Sequence, residues 1–430
     1  MSCSEVIIAI SITVASLAIW LWSDAITVEA PFIVPFVPEG WRLTSYFTFT
    51  KGISTAALFI LPFFERFGLK WGNMICFGMG LFFSITLIFS WDSQLNVFGE
   101  PTSLYLFINS FVLMGLDSCR MTLLYMYVTE YFHPKFLLAV LIGDGLGGLI
   151  ASIITYVQGY KQLMGAFAGN VNNGLNLTKD FLFGPSIGFA IITCVFFVCT
   201  VALLLSFTYA RNSTEDTLYD NFINKYVKKT GRTSPVALTL SSSQLRTSFS
   251  LSKYGSVIVS SASSDNGSHE SFFVVVWFFA SASVFTLMPA FHSFSTIPYG
   301  QACYIFSVAC WSIAFPCSAI ICYMIKNYRY TFVSVILLLH IVIDLTLIYI
   351  SLQSPKPILG ESFKAQSTLV IMWFTQGFSG FFLFSISSYY LRQCGPKAIK
   401  SGSIAAQCGD VVGALLSFYL VNFSGFFHDN

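Results

Sequence analysis

The sequence predicts an all-α, polytopic membrane protein that crosses the bilayer about eleven times. Of its 430 residues, 55% are hydrophobic and only 10% are charged, whereas a soluble domain carries roughly 25% charged residues. So little charge cannot cover a water-soluble protein of this length. The hydrophobic residues also form runs of about twenty, the length a helix needs to cross a hydrocarbon core of roughly 30 Å.

Each predicted span is an apolar run bounded by charged and turn-forming residues. The first run follows an acidic residue, Glu5, and no small-residue cleavage site comes after it. We therefore interpret it as a retained helix and not as a signal peptide. The runs lie near residues 6–30, 43–64, 72–90, 103–127, 136–157, 184–210, 271–291, 301–325, 330–352, 367–391 and 398–423.

The basic residues of the loops are distributed unequally. If the N-terminus is cytosolic, eight basic residues lie in short inside loops and seven in the segment 211–270, but only five lie outside. The positive-inside rule then predicts a cytosolic N-terminus and an extracellular C-terminus. The loop 158–183 is outside in this orientation, so its sequon at Asn176 is a predicted glycosylation site.

One long polar segment divides the chain. Residues 211–270 are rich in Ser and Thr and include Lys228, Lys229 and Arg232, a composition that predicts a disordered cytosolic linker. The predicted domains are an N-terminal six-helix bundle (1–210), this linker (211–270) and a C-terminal five-helix bundle (271–430). The linker is either a passive tether or a segment that phosphorylation regulates.

The two predicted bundles share the pattern Gly-Asp-x-x-Gly-x-Leu in the fifth helix of each, as Gly143–Leu149 and Gly409–Leu415. The alternative is a chance similarity between two helices rich in small residues. If the pattern is a true repeat, it indicates two parallel halves with a substrate site between them. Carriers of the major facilitator superfamily (MFS) and the equilibrative nucleoside transporters have this plan.

Charged side chains inside predicted spans are candidates for function, because a charge at the bilayer centre costs roughly 3 kcal/mol or more. Asp24 and Glu29 flank a predicted break of the first helix at Pro31, since proline removes a backbone donor and clashes with the preceding turn. A break of this kind exposes backbone groups to a water-filled cavity, which we expect Asp24 to face. Glu29 either faces the same cavity or lies at the outer headgroups. The other ionisable residues within spans are Lys51, Asp117, Arg120, Asp144, His340, Asp344 and Asp410.

Sequence spacing pairs four of these residues. His340 and Asp344 are four residues apart and share a helix face, where they form either a structural pair or a proton relay. Asp117 and Arg120 are three residues apart, and we expect them to neutralise each other.

Three further polar residues lie on the helices that carry the repeated pattern. Asp144 and Asp410 stand among glycines, which let helices approach closely, so we expect gating or packing roles for them. Gln407 is a better ligand candidate, because an uncharged amide both donates and accepts hydrogen bonds.

The sequence contains no recognisable catalytic motif. It lacks a Gly-x-Ser-x-Gly elbow, a phosphate-binding loop and His-Glu-x-x-His, and its acids are scattered over different helices. We therefore predict that the protein is not an enzyme and that it holds no cofactor or metal. Its net charge of +2, with no basic arm, gives no indication of a nucleic-acid partner.

Several motifs together resemble the eukaryotic riboflavin transporters of solute carrier family 52, over nearly the whole chain. The most specific is Pro38-Glu39-Gly40-Trp41, within a matching stretch from Trp20 to Tyr46. Other matches are Gly143–Leu146, Pro289–Gly300 and Gln407–Leu416. The resemblance implies an eleven-helix plasma-membrane carrier that takes up riboflavin without sodium, in some members faster at acid pH.

The chain departs from the family pattern at expected ligand positions. Asp24-Ala25 stands where the family usually has Asn-Gly, Thr27 replaces a Trp, and Phe285 stands where an Asn is usual. These departures bear on substrate identity and affinity more than on the fold.

We expect a riboflavin site between helices 1, 2, 7 and 11. The edge of the flavin ring or the ribityl chain would meet Asp24, Thr286 and Gln407, and an apolar slot would include Phe285 and Met288. The predicted substrate contacts are Asp24, Thr27, Glu29, Phe285, Thr286, Met288 and Gln407. The predicted gate or switch residues are Glu39, Asp144 and Asp410.

Two other functions stay open at this stage. An equilibrative-type nucleoside transporter shares the eleven-helix plan and would accept a similar ring edge. A multi-span cell-surface receptor is an alternative of another class. The expected partners are riboflavin and the lipid bilayer, and the sequence indicates no oligomeric state.

Overall fold

The described residues of the computed structural model are almost entirely helical, which confirms the predicted all-α class. They are residues 3–97, 99–132, 136–159, 182–213, 267–325, 330–360, 362–394, 396–425 and 427. Within these ranges the only strands are β1, Leu95–Val97, and β2, Glu100–Thr102, which form a short antiparallel hairpin. Asn176 and residues 214–266 of the predicted linker lie outside the described residues, so glycosylation and the linker stay predictions.

The first part of the chain contains eight α-helices, counted over the described residues. They are α1 (Cys3–Ser16), α2 (Leu21–Ile33), α3 (Leu43–Ser54), α4 (Leu61–Glu65), α5 (Gly68–Ser90), α6 (Leu104–Tyr131), α7 (Leu137–Gln158) and α8 (Pro185–Ser213).

The second part begins with α9 (Gly267–Ser281), which continues through a π-helical segment, Ala282–Leu287, into α10 (Met288–Thr296). Such π-helical turns are rare and are frequently found at functional sites. The remaining helices are α11 (Gln301–Met324), α12 (Tyr330–Leu352), α13 (Phe363–Cys394) and α14 (Pro396–Asn422).

Nine continuous helical stretches among the described residues are long and apolar enough to cross a membrane, and α1 with α2 forms a tenth if this bent pair is one span. The predicted fifth span coincides with α7, a further 22-residue helix. The count of eleven stays a prediction. The nine stretches are Gly40–Glu65, Gly68–Ser90, Leu104–Val128, Pro185–Tyr209, His269–Tyr299, Gln301–Cys322, Tyr330–Leu352, Phe363–Leu391 and Ser401–Asn422.

The first span is broken, but not at Pro31 as predicted. The chain bends by 48° between α1 and α2, whereas Pro31 lies inside the last turn of α2. At the bend, the amide of Ile19 donates to the carbonyl of Ser16 at 3.1 Å, a bond that tightens the turn. The freed amide of Ser23 donates to the carboxylate of Asp117 at 2.8 Å, so an acid from α6 caps the start of α2.

Equivalent helices pack together in both parts of the chain. Helix α5 packs on α6 as α12 packs on α13, and α1 packs on α7 as α9 packs on α14. The two parts meet through the pairs α3–α14 and α7–α11. These pairs are also equivalent, because α3 corresponds to α11 and α7 corresponds to α14. This packing supports the predicted repeat, and we refer to residues up to 213 as the first half and to residues from 267 as the second half.

The glycines of the repeated pattern explain why α7 and α14 approach their neighbours so closely. Each lies where a Cβ atom would meet atoms of the first helix of its own half or of the turn that follows that helix. A side chain at any of these positions would push the helices apart. The contacts are Gly143 with Thr13, Gly147 with Leu17, Gly409 with Phe278 and Gly413 with Ala282.

We expect Gly147→Ala to destabilise the protein, because its Cβ would lie 2.7 Å from the backbone oxygen of Leu17. Overpacking of this kind costs about 1–3 kcal/mol, so the unfolding temperature of a chain this long should fall by about 1–3 °C. The matched control is Gly78→Ala, whose Cβ would have no heavy atom within 4 Å. Thermal unfolding in detergent measures both, and equal unfolding temperatures would contradict the packing role of Gly147.

Candidate functional site

A narrow cavity lies between the two halves, close to the middle of the helices. Its walls come from α2, α3, α6 and α7 on one side and from the π-helical segment, α11 and α13 on the other. It has room for about two water molecules. Its lining residues are Trp20, Asp24, Lys51, Met121, Asp144, Phe285, Trp311, Ser312, Phe315, Phe381 and Phe384, and we call it the aromatic cavity.

Aromatic rings form a continuous wall across the boundary between the halves. Trp20 of the first half stacks on Phe285 of the second, with ring centroids 6.1 Å apart and planes at 16°. Phe285 also contacts Phe384 at 5.1 Å and Phe381 at 5.7 Å, and Trp311 contacts Phe381 at 5.1 Å. Flat apolar surfaces of this kind favour a flat, aromatic ligand.

Lys51 brings a positive charge into this wall. Its ammonium lies 5.0 Å from the ring centroid of Phe285 and 5.5 Å from that of Trp20, distances at which a cation is attracted to a ring face. It also interacts electrostatically with Asp24 and, across the boundary between the halves, with Asp410. The cavity therefore presents a charged donor and a charged acceptor beside its aromatic faces.

Small residues and a buried ion pair hold Asp24 in place. A Cβ at Gly148 would lie 2.8 Å from the carboxylate of Asp24, so the glycine leaves the space that this carboxylate occupies. Asp117, which caps α2 just before Asp24, is paired with Arg120, and both side chains are fully buried. The guanidinium of Arg120 also lies 4.7 Å from the ring centroid of Phe196.

Close packing of α3 on α14 brings Asp410 near Lys51. At Gly52, a Cβ would lie 3.0 Å from the backbone oxygen of Asp410. The carboxylate of Asp410 is held by the hydroxyl of Ser281, which donates to it at 2.6 Å. Lys51 thus has one acidic neighbour in its own half and one in the other half.

A second, smaller cavity lies one helical turn away along α2 and α11. Thr27 is three residues after Asp24, and Val308 is four residues before Ser312, so these positions are neighbours on their helices. The hydroxyls of Thr27 and Thr48 donate to carbonyls of their own helices at 2.8 and 2.9 Å, which leaves their lone pairs free to accept. The lining residues are Thr27, Ala30, Thr44, Phe47, Thr48, Pro289, His292, Tyr304 and Val308, and we call it the hydroxyl cavity.

Hydrogen bonds between the halves cluster around the hydroxyl cavity. The hydroxyls of Thr44 and Ser293 lie 3.1 Å apart, and Ser293 donates to the carbonyl of Trp41 at 3.3 Å. The ring of Trp41 also meets that of Tyr304 edge-on, at 6.0 Å. These contacts close the interface on this side, which is the extracellular side in the predicted orientation.

The structure brings five of the predicted site residues together. Asp24, Asp144 and Phe285 line the aromatic cavity, and Thr27 lines the hydroxyl cavity. Asp410 lies beside Lys51. The substrate and gating roles of these residues stay predictions.

The structure places three other predicted substrate contacts away from both cavities. The buried carboxylate of Glu29 faces Gln158 and Gly188, within the first half. The hydroxyl of Thr286 donates to the carbonyl of Ala282 at 3.0 Å, and Met288 is buried in the apolar core of the second half. Thr286 lies in the π-helical segment with Phe285, and Met288 directly follows that segment.

Gln407 and Glu39 also line neither cavity. Gln407 is half-buried on α14. The carboxylate of Glu39 accepts hydrogen bonds from the amide and the hydroxyl of Ser103, at 2.8 and 2.9 Å. Glu39 therefore anchors the start of α6 within the first half, and in this geometry it does not bridge the two halves.

Sequence reasoning missed much of the aromatic cavity. Lys51 was identifiable only as a basic residue within a span, since nothing in the sequence indicates its partners. The sequence did not distinguish the cavity rings Trp311, Phe381 and Phe384 from the other aromatic residues. The chain has 46 Phe and 8 Trp residues, and most aromatic side chains of a membrane protein face lipid or pack helices.

Solved transporter structures share this fold. The xylose transporter XylE of E. coli, in a partially occluded inward-open conformation, matches with a TM-score of 0.58 at 12% identity, covering 97% of this chain and 91% of XylE. The nucleoside transporter NupG matches with a TM-score of 0.53 at 11% identity, covering 96% of this chain and 89% of NupG. These neighbours confirm the predicted MFS-like architecture.

Curated relatives match over nearly their whole length. The chain is 23% identical over 434 residues to Riboflavin transporter 2 of Salmo salar, covering 95% of this chain and 94% of the relative. It is 21% identical over 425 residues to Riboflavin transporter rft-1 of Caenorhabditis elegans, with the same coverage of each. These relatives are named as transporters and not as enzymes, in agreement with the prediction from the sequence.

A family model described as solute carrier family 52, riboflavin transporter, matches residues 4–429. That match spans both halves, both cavities and the Trp20–Tyr46 stretch. The chain therefore belongs to solute carrier family 52, the riboflavin transporter family.

Proposed function

We propose that this protein takes up riboflavin across the plasma membrane by alternating access, without sodium. The observation that carries the proposal is the pair of adjoining cavities between the halves, one aromatic and charged, the other lined by hydroxyls. In the proposed orientation the N-terminus is cytosolic and the C-terminus extracellular, as the distribution of basic residues predicts.

The aromatic cavity suits the ring system of riboflavin. Isoalloxazine is a flat tricycle whose uracil-like edge has one N–H between two carbonyl oxygens. In our proposal the ring stacks against the faces of Trp20, Phe285 and Trp311. The carboxylate of Asp24 accepts from the ring N–H, and the ammonium of Lys51 donates to an adjacent ring carbonyl. An acid beside a base thus matches an edge that alternates donor and acceptor.

The hydroxyl cavity suits the ribityl chain, which carries four hydroxyl groups. The oxygens of Thr27 and Thr48 can accept from these hydroxyls, because their own protons are donated to backbone carbonyls. Thr44 and His292 add further polar atoms to the same cavity. A ligand with an aromatic head and a polyhydroxyl tail would therefore lie along α2 and α11, with its tail toward the predicted outside.

The narrowness of both cavities supports alternating access. An aromatic cavity with room for about two water molecules cannot hold a tricycle, so the halves must separate for the substrate to enter. The hydrogen bonds around Thr44 and Ser293 close one side. In our proposal they break when the carrier opens to the outside.

We expect cells that lack their own riboflavin carrier to accumulate labelled riboflavin when they express this protein. Replacement of sodium by choline should leave uptake unchanged. Excess unlabelled riboflavin should abolish the signal, whereas excess uridine, which shares only the uracil-like ring edge and a group with several hydroxyls, should not. Normal surface expression without uptake would refute the proposal, and inhibition by uridine but not by flavins would favour a nucleoside carrier.

Lys51→Met and Asp24→Ala should each raise the KM for riboflavin about tenfold or more, because a hydrogen bond to a charged group contributes roughly 1.5–3 kcal/mol. Lys364→Met is the matched control, since Lys364 is exposed at the start of α13 and should keep the wild-type KM. Surface expression and the unfolding temperature separate binding from folding. An unchanged KM in Lys51→Met or in Asp24→Ala would remove that residue from the site.

A disulfide between Thr44→Cys and Ser293→Cys should trap the closed interface and stop uptake, with recovery after reduction. The native hydroxyls lie 3.1 Å apart, on different halves. The control is Thr86→Cys with Asn109→Cys, where native side chains lie 2.7 Å apart within one half. This second crosslink should leave uptake unchanged, and uptake that persists after complete crosslinking of the first pair would exclude this rocking motion.

A further inference from the structure

A second group of buried ionisable residues lies in α12, away from both cavities. His340 and Asp344 are both buried and share the face of α12 that meets the rest of the second half. Other residues of the same helix, including Leu338 and Leu345, are exposed on its outer surface, where the bilayer would surround them. An ionisable pair in such a position is a candidate for function.

Four hydrogen bonds connect this pair to two other elements, the π-helical segment and α13. The hydroxyl of Ser283, in the π-helical segment, donates to the carboxylate of Asp344 at 2.5 Å, and the same hydroxyl lies 3.1 Å from Nε2 of His340. On α13, the amide of Gln376 donates to Asp344 at 3.1 Å and to Ser283 at 3.3 Å. Nδ1 of His340 lies 2.9 Å from the hydroxyl of Ser379, and the carboxylate lies 3.5 Å from the imidazole ring.

The protons of this network can be counted. The hydroxyl of Ser379 donates to the carbonyl of Gln376 at 3.1 Å, so it accepts from Nδ1 of His340. The hydroxyl of Ser283 has one proton, yet it lies between the carboxylate of Asp344 and Nε2 of His340. Both of these contacts are hydrogen bonds only if the pair holds one more proton than a neutral histidine and an ionised aspartate have together.

That additional proton has two equivalent positions. In the first arrangement the proton is on Nε2 of His340, which donates to Ser283, and Ser283 donates to the carboxylate of Asp344. In the second arrangement the proton is on the carboxyl group of Asp344, which donates to Ser283, and Ser283 donates to Nε2 of His340. In both arrangements every donor of the network has an acceptor. The two residues therefore bind the proton as a unit.

Helix α12 packs against α10 and α13 and is also contacted by Ser283 of the π-helical segment. The described side chains that face the pair from these elements are uncharged. They are Ser283, Gln376 and Ser379. The nearest titratable side chain on α10 is His292, which turns away to stack on Trp373 at 3.7 Å and to contact Ser307 at 2.8 Å. The proton is thus assigned to the pair and not to a larger charged cluster.

The network reaches the aromatic cavity by two routes. The indole N–H of Trp311, which lines the cavity, donates to the amide oxygen of Gln376 at 3.0 Å. Ser283 lies two residues before Phe285, in the same π-helical segment. A loss of the proton would remove one of the three hydrogen bonds that hold the hydroxyl of Ser283. That bond restrains the segment that carries Phe285.

We infer that His340 and Asp344 form a proton-binding site that controls the shape of the cavity wall through Ser283, Gln376 and Trp311. His340 and Asp344 are not among the proposed riboflavin contacts. Its occupancy couples external or cytosolic pH to the packing of α12, α13 and the π-helical segment. Transport should therefore change with pH through residues that never touch the substrate.

Spectroscopy of the purified, substrate-free protein tests the proton directly. With ¹⁵N-labelled histidine at neutral pH, we expect His340→Gln to remove an imidazolium signal, or Asp344→Asn to remove the infrared band of a protonated carboxyl group. His292→Gln is the matched control and should remove the signal of a neutral ring, because His292 has no acidic partner. A neutral His340 ring together with an ionised Asp344 would overturn the inference.

Uptake between about pH 5.5 and 8, the range in which histidine titrates, tests the coupling. We expect the wild type to respond to pH, and His340→Gln, Asp344→Asn and the double variant to lose that response to the same extent, as coupled residues do. The control Thr346→Val, on the exposed surface of α12, should keep the wild-type profile. If those variants fail to reach the cell surface, Ser379→Ala replaces them as the test, because it keeps both His340 and Asp344. We expect it to shift the midpoint of the pH profile of uptake. A wild type without a pH response, or variants that retain it, would overturn the coupling.

Discussion

The structure depends on one constraint, which is that an ionisable side chain within the hydrocarbon region needs a partner or access to water. Three sets of such groups among the described residues meet this constraint in different ways. Asp117 and Arg120 neutralise each other inside the first half. Lys51 lies between acids of both halves. His340 and Asp344 use hydroxyl and amide groups in place of a third charge.

The Asp117–Arg120 pair shows how a buried charge can shape a site without contacting a ligand. Because Asp117 accepts from the freed amide of Ser23, it stabilises the bend that separates α1 from α2. That bend places Trp20 and Asp24 at the start of a new helix, beside the cavity. Arg120 neutralises the negative charge of the Asp117 carboxylate that caps α2. The position of the aromatic cavity thus depends on an ion pair that does not itself line the cavity.

The spans and the helix-packing glycines were predictable from the sequence, because length, hydropathy and residue size are local properties. Asp24 was found for the same reason, as an acid within an apolar run. The bend before α2 was not, since residues 17–20 contain neither Gly nor Pro and the cap comes from distant Asp117. Pro31 gave the stronger local signal, but it lies inside the last turn of α2 and does not break the span.

The second half shows a different limit. In a regular helix of 3.6 residues per turn, Met288 would share a face with Phe285 because it lies three residues later. The π-helical segment changes the register between them. A local widening of this kind is stabilised by tertiary contacts, here the hydrogen bonds of Ser283 with Asp344 and Gln376. The pattern of the sequence around Phe285 does not contain that information.

The partners of a buried charge also decide which charges can respond to transport. Asp117 and Arg120 belong to one helix, so their separation would stay fixed in the proposed rocking motion of the halves. Lys51 has one acid in its own half and one in the other, so a rocking motion must change its electrostatic energy. A substrate carbonyl that accepts from Lys51 would compensate for Asp410 as the halves separate. A charge whose partner lies across the interface can therefore couple substrate to conformation in the proposed mechanism, and Lys51 of the aromatic cavity has such a partner in Asp410.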